Sequence, residues 1–236
     1  MCPLALPKGL TGKFLEEADK TDLSQQSYYA VWDTGHRDSS YDLTRADLAG
    51  QSFIVNNHET GERVLSPLSQ LTPDYDGSEG DRQYGWYIDF DPGERVTARS
   101  LYRGTIVHFN TIIPESSVCA SGGTGWEMAV EAENGGSPRE AAFDFDLDGI
   151  VAVLGDTYTM PNAASPGEAT IGYAGVALDP DQGMPAGPSI IGSGLYTSAA
   201  SPESGPAPDF FTGSHRTLAD IKDCLLYTSP RPRARG

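Results

Sequence analysis

Between Asp144 and Gly149 the chain reads Asp-Phe-Asp-Leu-Asp-Gly, three carboxylates at alternate positions closed by a glycine. Alternate acids let one short loop turn several oxygens toward a common centre, and the glycine permits the sharp turn that wraps them. Such a donor set suits a hard divalent cation, and calcium is the expected one. In the register of a calcium loop, Asp144, Asp146 and Asp148 are side-chain ligands, Gly149 takes the turn, and Ile150 offers its backbone carbonyl. The two later acidic positions of that register hold Ala152 and Gly155, so the expected closing ligand is Asp156, one residue further on. A loop closed this way binds weakly, in the manner of extracellular modules that work at ~10⁻⁴–10⁻³ M calcium. Carboxylates so close repel one another unless a cation or a proton relieves them. The alternative is a solvated acidic turn leading into a strand from Ile150 to Leu154.

No other motif carries chemistry as well. Gly122-Gly123-Thr124-Gly125 lacks the Lys-Ser/Thr of a phosphate cradle and precedes the strand-like run from Trp126. Gly192-Ser193-Gly194 is not a nucleophile elbow. The four histidines, at 36, 58, 108 and 215, are scattered; His108 reads as a strand residue. No order of Ser, His and Asp stands out as a triad, and the expectation is a protein without catalytic activity.

The elements that must position the acidic loop are strands. Apolar residues alternate, or form short β-branched runs, at Tyr28–Trp32, Ser52–Val55, Tyr84–Phe90, Thr105–Ile113, Trp126–Ala132, Ile150–Leu154 and Ala169–Leu178. The fold class is all-β. Leu43–Leu48 and Thr217–Asp223 could each form a helical turn or two. Asp91-Pro92-Gly93 has proline and glycine placed for a tight turn, which predicts a hairpin of Tyr84–Phe90 with Glu94–Ala98, its Glu94 and Arg95 in solvent. Trp32, Trp86 and Trp126 read as packing residues in preference to a ligand-stacking surface. A weak repeat runs through Tyr29–Gly35, Trp126–Gly136 and Tyr173–Gly183, each an aromatic residue opening a strand that ends in acid and glycine. With one copy missing its period is ~48 residues, within the range of four-stranded propeller blades, which favours a β-propeller over a sandwich.

Composition sets the bounds. The 236 residues carry 27 glycines and 17 prolines, 33 acidic and 16 basic residues, and a net charge of −17. That surface excludes nucleic acid and anionic membranes as partners and favours cations. No apolar run reaches the ~18 residues of a membrane span. The cysteines at 2, 119 and 224 have neither disulfide-framework nor metal-site spacing. A single domain is expected over residues 1–223, with a Pro/Gly/Ala/Ser-rich loop at about 181–207. From Cys224 the chain reads Cys-Leu-Leu-Tyr-Thr-Ser-Pro-Arg-Pro-Arg-Ala-Arg-Gly, a break in composition that resembles adapter-derived sequence, so residues 224–236 read as a non-native tail.

The segments Gly85-Trp86-Tyr87-Ile88-Asp89, Gly93-Glu94-Arg95-Val96 and Asn110-Thr111-Ile112-Ile113-Pro114, followed by Cys119, Gly122-Gly123 and Trp126, resemble the C-terminal β-propeller of the PilY and PilC-like proteins. These are tip-associated adhesins and biogenesis factors of bacterial type IV pili. The resemblance covers roughly Tyr28–Leu218. Its calcium loop is matched by Asp144, Asp146, Asp148 and Gly149, with Ala152 where the family has an acid. Ser214-His215-Arg216-Thr217-Leu218 is similar to the family's closing segment, with His215 in place of tryptophan. The resemblance implies an exported protein, at the pilus tip, the outer-membrane surface or in the periplasm. It further implies a calcium-binding partial propeller holding only the C-terminal blades. That propeller would act with type IV pilins or their assembly machinery to modulate extension and retraction, and would attach to host or abiotic surfaces. The competing readings are a fragment of a propeller quinoprotein dehydrogenase and an unrelated calcium-stabilised extracellular binding module.

Overall fold

The alternating segments do become strands, and their ends fall at the glycines, prolines and acids that punctuate them. The computed structural model describes residues 12–31, 43–66, 83–115, 122–161, 170–179, 183–198 and 213–218. Within these, the strands are β1 (Ser27–Val31), β2 (Ala49–Gln51), β3 (Phe53–Asn57), β4 (Glu62–Leu65), β5 (Gly85–Asp89), β6 (Leu101–Arg103) and β7 (Ile106–Pro114). They continue with β8 (Gly123–Glu131), β9 (Thr157–Thr159), β10 (Thr170–Gly172), β11 (Gly175–Ala177), β12 (Ser189–Ile191), β13 (Gly194–Ser198) and β14 (Gly213–Thr217). Among the described residues helix is confined to 3₁₀ turns at Glu17–Lys20 and Arg45–Asp47 and one kinked turn, α1 (Val153–Asp156). The turn at Arg45–Asp47 falls inside the Leu43–Leu48 segment read as a helical turn. No helix among the described residues is long and apolar enough to cross a membrane.

The class is all-β, and the described residues form four sheets, none of them closed. An antiparallel six-stranded sheet, ordered β3-β4-β11-β8-β7-β6, has its longest pairing between β7 and β8, from Ile106↔Glu131 to Pro114↔Gly123. On one face lies the sheet β1-β5-β2, in which β1 pairs antiparallel and β2 parallel to β5. Tyr28 of β1 stacks on Phe109 of β7 with ring centroids 4.3 Å apart, and the Trp86 indole donates to the Ala132 carbonyl at 2.9 Å. Trp126, Met128 and Val130 of β8 complete that core. The residues between them point the other way, where Ala129 meets Phe143, Val176, Leu195 and Leu218 beneath the sheet β12-β13-β14. A third cluster gathers Val64, Ile171 and Tyr173 beside the β9-β10 pair. Trp86 and Trp126 are therefore packing residues, as expected; Trp32 lies outside the described residues, as do His36, the three cysteines and residues 219–236.

Five expectations are corrected. The turn at Asp91-Pro92-Gly93 forms, with the Glu94 amide donating to the Asp91 carbonyl at 3.0 Å and Gly93 at φ +85°, but no hairpin follows. Both edges of β5 are already taken by β1 and β2, so Arg95 bridges to Ile112 of β7 instead. Glu94 and Arg95 are 0% and 1% exposed, the reverse of the solvated pair expected. The segment Ile150–Leu154 is no strand: its apolar side chains Ile150, Val153 and Leu154 face solvent and the chain turns through α1. The aromatic repeat is not a blade period, because β8 and β11 are neighbours in one sheet, with Trp126 opposite Ala177. Finally, part of the 181–207 span is ordered as the β12-β13 hairpin, which β14 extends.

Burial of Glu94 is compensated by Arg63 of β4, itself fully buried. Its guanidinium meets both Glu94 oxygens, at 2.5 and 2.7 Å, donates to Asn56 at 2.9 Å, and lies 3.9 Å over the Trp126 ring. Among the described residues Arg95 pairs with no carboxylate; it donates to the carbonyls of Gly93, Lys13 and Asp22, which ties the N-terminal segment to the core. Removing one member of a buried ion pair leaves the other uncompensated, so Glu94→Ala is expected to cost about 3–5 kcal/mol. Urea unfolding of the two proteins measures it; a loss below about 1 kcal/mol would place the pair with weak surface bridges.

His108 of β7 is 2% exposed, and its Nδ1 has no hydrogen-bond partner among the described residues. Burial, with the charge of Arg103 adding to it, pushes its pKa down to about 4. A base with a depressed folded pKa takes up its proton in the unfolded chain first. Stability is therefore fully present above the unfolded value of 6.5 and falls as pH drops toward about 4. The expected loss is about 1.4 kcal/mol per pH unit across that window, and His108→Gln should flatten it; parallel slopes for the two proteins would contradict the assignment.

Candidate metal centre

The acidic loop is anchored at its start by strand pairing and packing. Phe143 bridges to Leu218, and the Asp144 amide donates to the Thr217 carbonyl at 2.8 Å, so the chain enters the loop alongside β14. Phe145 turns inward and stacks on Tyr173 with centroids 4.1 Å apart. With Phe145 held in the core, the flanking Asp144 and Asp146 must turn elsewhere, and Leu147 is left 60% exposed in a left-handed conformation at φ +62°. Gly149, at φ +88°, completes the reversal. The loop returns through α1, which delivers Asp156 beneath the first residues of the loop.

The carboxylates themselves organise this path. Asp144 accepts the amides of Asp148 at 3.1 Å and Gly149 at 2.8 Å. Asp156 accepts those of Phe145 at 2.6 Å and Ala152 at 2.8 Å, closing the loop from the far end. The Asp148 carboxylate takes the Ile150 amide at 2.7 Å. Asp144 and Asp156 are 3% and 1% exposed, whereas Asp146 is exposed. Among the described residues, no Lys or Arg side chain forms an ion pair with any of them.

One oxygen from each of Asp144, Asp146 and Asp156 lies within 4.8 Å of the others. Oxygens on opposite sides of one divalent cation stand about 4.0–4.2 Å apart across magnesium and about 4.6–5.2 Å apart across calcium, so all three carboxylates lie within reach of a single ion. The amide bonds do not use up these oxygens, since a carboxylate has about four lone-pair sites. Gly155, at φ +96°, is what makes room: a Cβ there would stand 2.2 Å from Asp146 Oδ2. The structure thus brings together three of the five expected ligands and leaves Asp148 and Ile150 beside them, bonded to each other through the turn. The sequence offered no signal for two supports of this site. One is the Phe145–Tyr173 stack. The other is Arg216 of β14, which donates to the carbonyls of Asp144 and Phe145 at 3.0 and 3.1 Å.

No protein-family model matches the chain. The type IV pilus biogenesis factor PilY1 of Pseudomonas aeruginosa is 30% identical over 192 residues, a stretch covering 74% of this chain and 16% of that protein. A PilY1 homolog of Xylella fastidiosa is 33% identical over 138 residues, covering 54% of this chain and 8% of the homolog. The chain thus spans a small part of these relatives' length. The crystal structure of the Pseudomonas aeruginosa PilY1 C-terminal domain superposes with a TM-score of 0.63 at 22% identity, over 88% of this chain and 40% of that one, a likeness of fold. Identity and fold agree on one assignment: the chain belongs to the PilY1 family, as a PilY1-like C-terminal domain.

Proposed function

We propose that this domain is a calcium-binding unit of a type IV pilus biogenesis factor, exported with the pilus machinery, where it influences pilus extension against retraction and attachment to surfaces. The observation that carries the calcium reading is the convergence of Asp144, Asp146 and Asp156 to within one cation's reach, with two of them buried and, among the described residues, no cationic side chain paired to them. The names of its relatives, type IV pilus biogenesis factors, support the pilus role. In this reading Asp148 and the Ile150 carbonyl are the donors the loop adds when it closes on the ion, and water completes at least six oxygens. The open three- and six-stranded sheets are read as part of a larger propeller, completed by residues of the whole protein. A surface at net charge −17 attracts calcium generally, and the loop with Asp156 behind it adds two buried carboxylates that converge on one point.

Calorimetric titration with calcium, paired with melting curves, tests this. The parent should bind calcium and gain ~2.7 kcal/mol at one hundred times the dissociation constant, with magnesium a poor substitute. Asp156→Asn should abolish the gain, and Asp148→Ala should weaken it by less. A well-folded parent with neither heat nor a melting shift would remove calcium from the proposal, and equal responses from parent and Asp156→Asn would remove the site.

Gly155→Ala gives an independent check on the geometry. Its Cβ collides with Asp146 Oδ2 and its φ is strained for any side chain, a backbone cost of about 1–2 kcal/mol. The expected result is a weaker calcium response with a modest loss of calcium-free stability. Unchanged calcium affinity would show that Asp146 binds from another position.

A further inference from the structure

We propose that Arg216, held by Glu127, is the positioning residue of the acidic loop: it fixes the main chain at Asp144 and Phe145 so that the three carboxylates converge, while offering no ligand itself. The inference rests on the reading of this loop as a cation site. Arg216 is 7% exposed and Glu127 fully buried. Nε of Arg216 donates to Glu127 Oε2 at 2.8 Å, and one terminal nitrogen donates to both loop carbonyls, at 3.0 and 3.1 Å. Three acceptors from two elements meet one planar group, and only a guanidinium presents donors in that fixed fork.

The placement has two consequences for the site. Each of the two peptide units whose carbonyls Arg216 holds is next to a carboxylate contact: Asp144 is itself a cluster member, and the Phe145 amide donates to Asp156 at 2.6 Å. Turning either carbonyl therefore moves a candidate ligand. Second, two carbonyl oxygens that could have turned toward a cation are committed to the guanidinium, so the ion is left to the carboxylates. The strut runs from β8 in the central sheet, through β14, to the loop, which makes the loop's shape a property of how the β12-β13-β14 sheet docks on the six-stranded one.

Arg95 supplies the control. It is as buried as Arg216 and also donates to three acceptors, the carbonyls of Gly93, Lys13 and Asp22, but it touches no part of the loop. In calcium-free protein, hydrogen exchange of the Phe145, Gly149 and Ala152 amides is expected to accelerate in Arg216→Lys and to stay at the parent's rate in Arg95→Lys. Calorimetry with calcium should then show affinity lowered about 10–100-fold in Arg216→Lys and unchanged in Arg95→Lys. Glu127→Gln, which keeps the shape and removes the charge, should shift both readouts in the same direction by a smaller amount, and it carries the test where Arg216→Lys does not fold. Loop amides exchanging at the parent's rate in both strut variants would overturn the proposal, and so would calcium affinity equal to the parent's. A parent that binds no calcium would sink the cation reading, while the amide measurement would still decide the role of Arg216.

Discussion

Everything in this fold hangs on a six-stranded sheet that is covered on both faces and must therefore hide charge on both. Strands β7 and β8 are buried along nearly their whole length, and β8 alternates Trp126, Met128 and Val130 toward one core with Glu127, Ala129 and Glu131 toward the other. A carboxylate such as Glu127 survives there only when a cation comes with it. Arg216 on one face and the Arg63–Glu94 pair on the other meet that demand. Each arginine does so by reaching across from another element, so the ion pairs also set which elements sit where. Arg63 brings the turn after β5 onto β4, and Arg216 brings β14 and the acidic loop onto β8.

The same reasoning separates structural acids from chemical ones in a chain with 33 of them. Asp19 accepts the amides of Leu15 and Glu16, and Asp47 that of Thr44, and in both cases those bonds hold the carboxyl below its usual pKa. Each closes a 3₁₀ turn and needs nothing further. Asp91 is likewise occupied, by Asn56, His58 and the flank of Arg63. What distinguishes Asp144, Asp146 and Asp156 is that backbone amides hold them while they still face one another, so their mutual repulsion is left for something else to relieve.

The strands were legible because turn residues bound them, and β1, β3, β5, β7 and β8 lie within a few residues of where alternation places them. The sheet order was not. A strand buried on both faces gives no pattern that says which neighbour it takes, so β8 and β11, alike in sequence, could be read as copies in separate blades when they are paired in one sheet. Polarity misled at Glu94 and Arg95 for a related reason, since composition shows a charge but not the partner 31 residues away that allows its burial. Ile150–Leu154 failed in the opposite sense: a β-branched apolar run forms a strand only where an edge is free to receive it. At the site, the local spacing gave Asp144 and Asp146 and the extra reach to Asp156. The Tyr173 stack and the Arg216 strut are long-range contacts that no local spacing encodes.

Placing the closing acid at Asp156 in place of residue 152 changes what binding an ion would do. An acid at 152 would belong to the turn itself and could close the loop without involving the rest of the fold. Asp156 reaches the cluster only because α1 carries the chain back under Phe145, and the same carboxylate accepts the Phe145 and Ala152 amides. Phe145 in turn belongs to the packing of Tyr173 and to the carbonyl pair on Arg216. A cation that draws Asp144, Asp146 and Asp156 together therefore pulls on β14 and on the core beside β10 as well as on the loop. Native domains are stable by about 5–15 kcal/mol, and occupancy at one hundred times the dissociation constant adds ~2.7 kcal/mol. An ion joined to the core by so many shared bonds would act as a condition of the fold's rigidity.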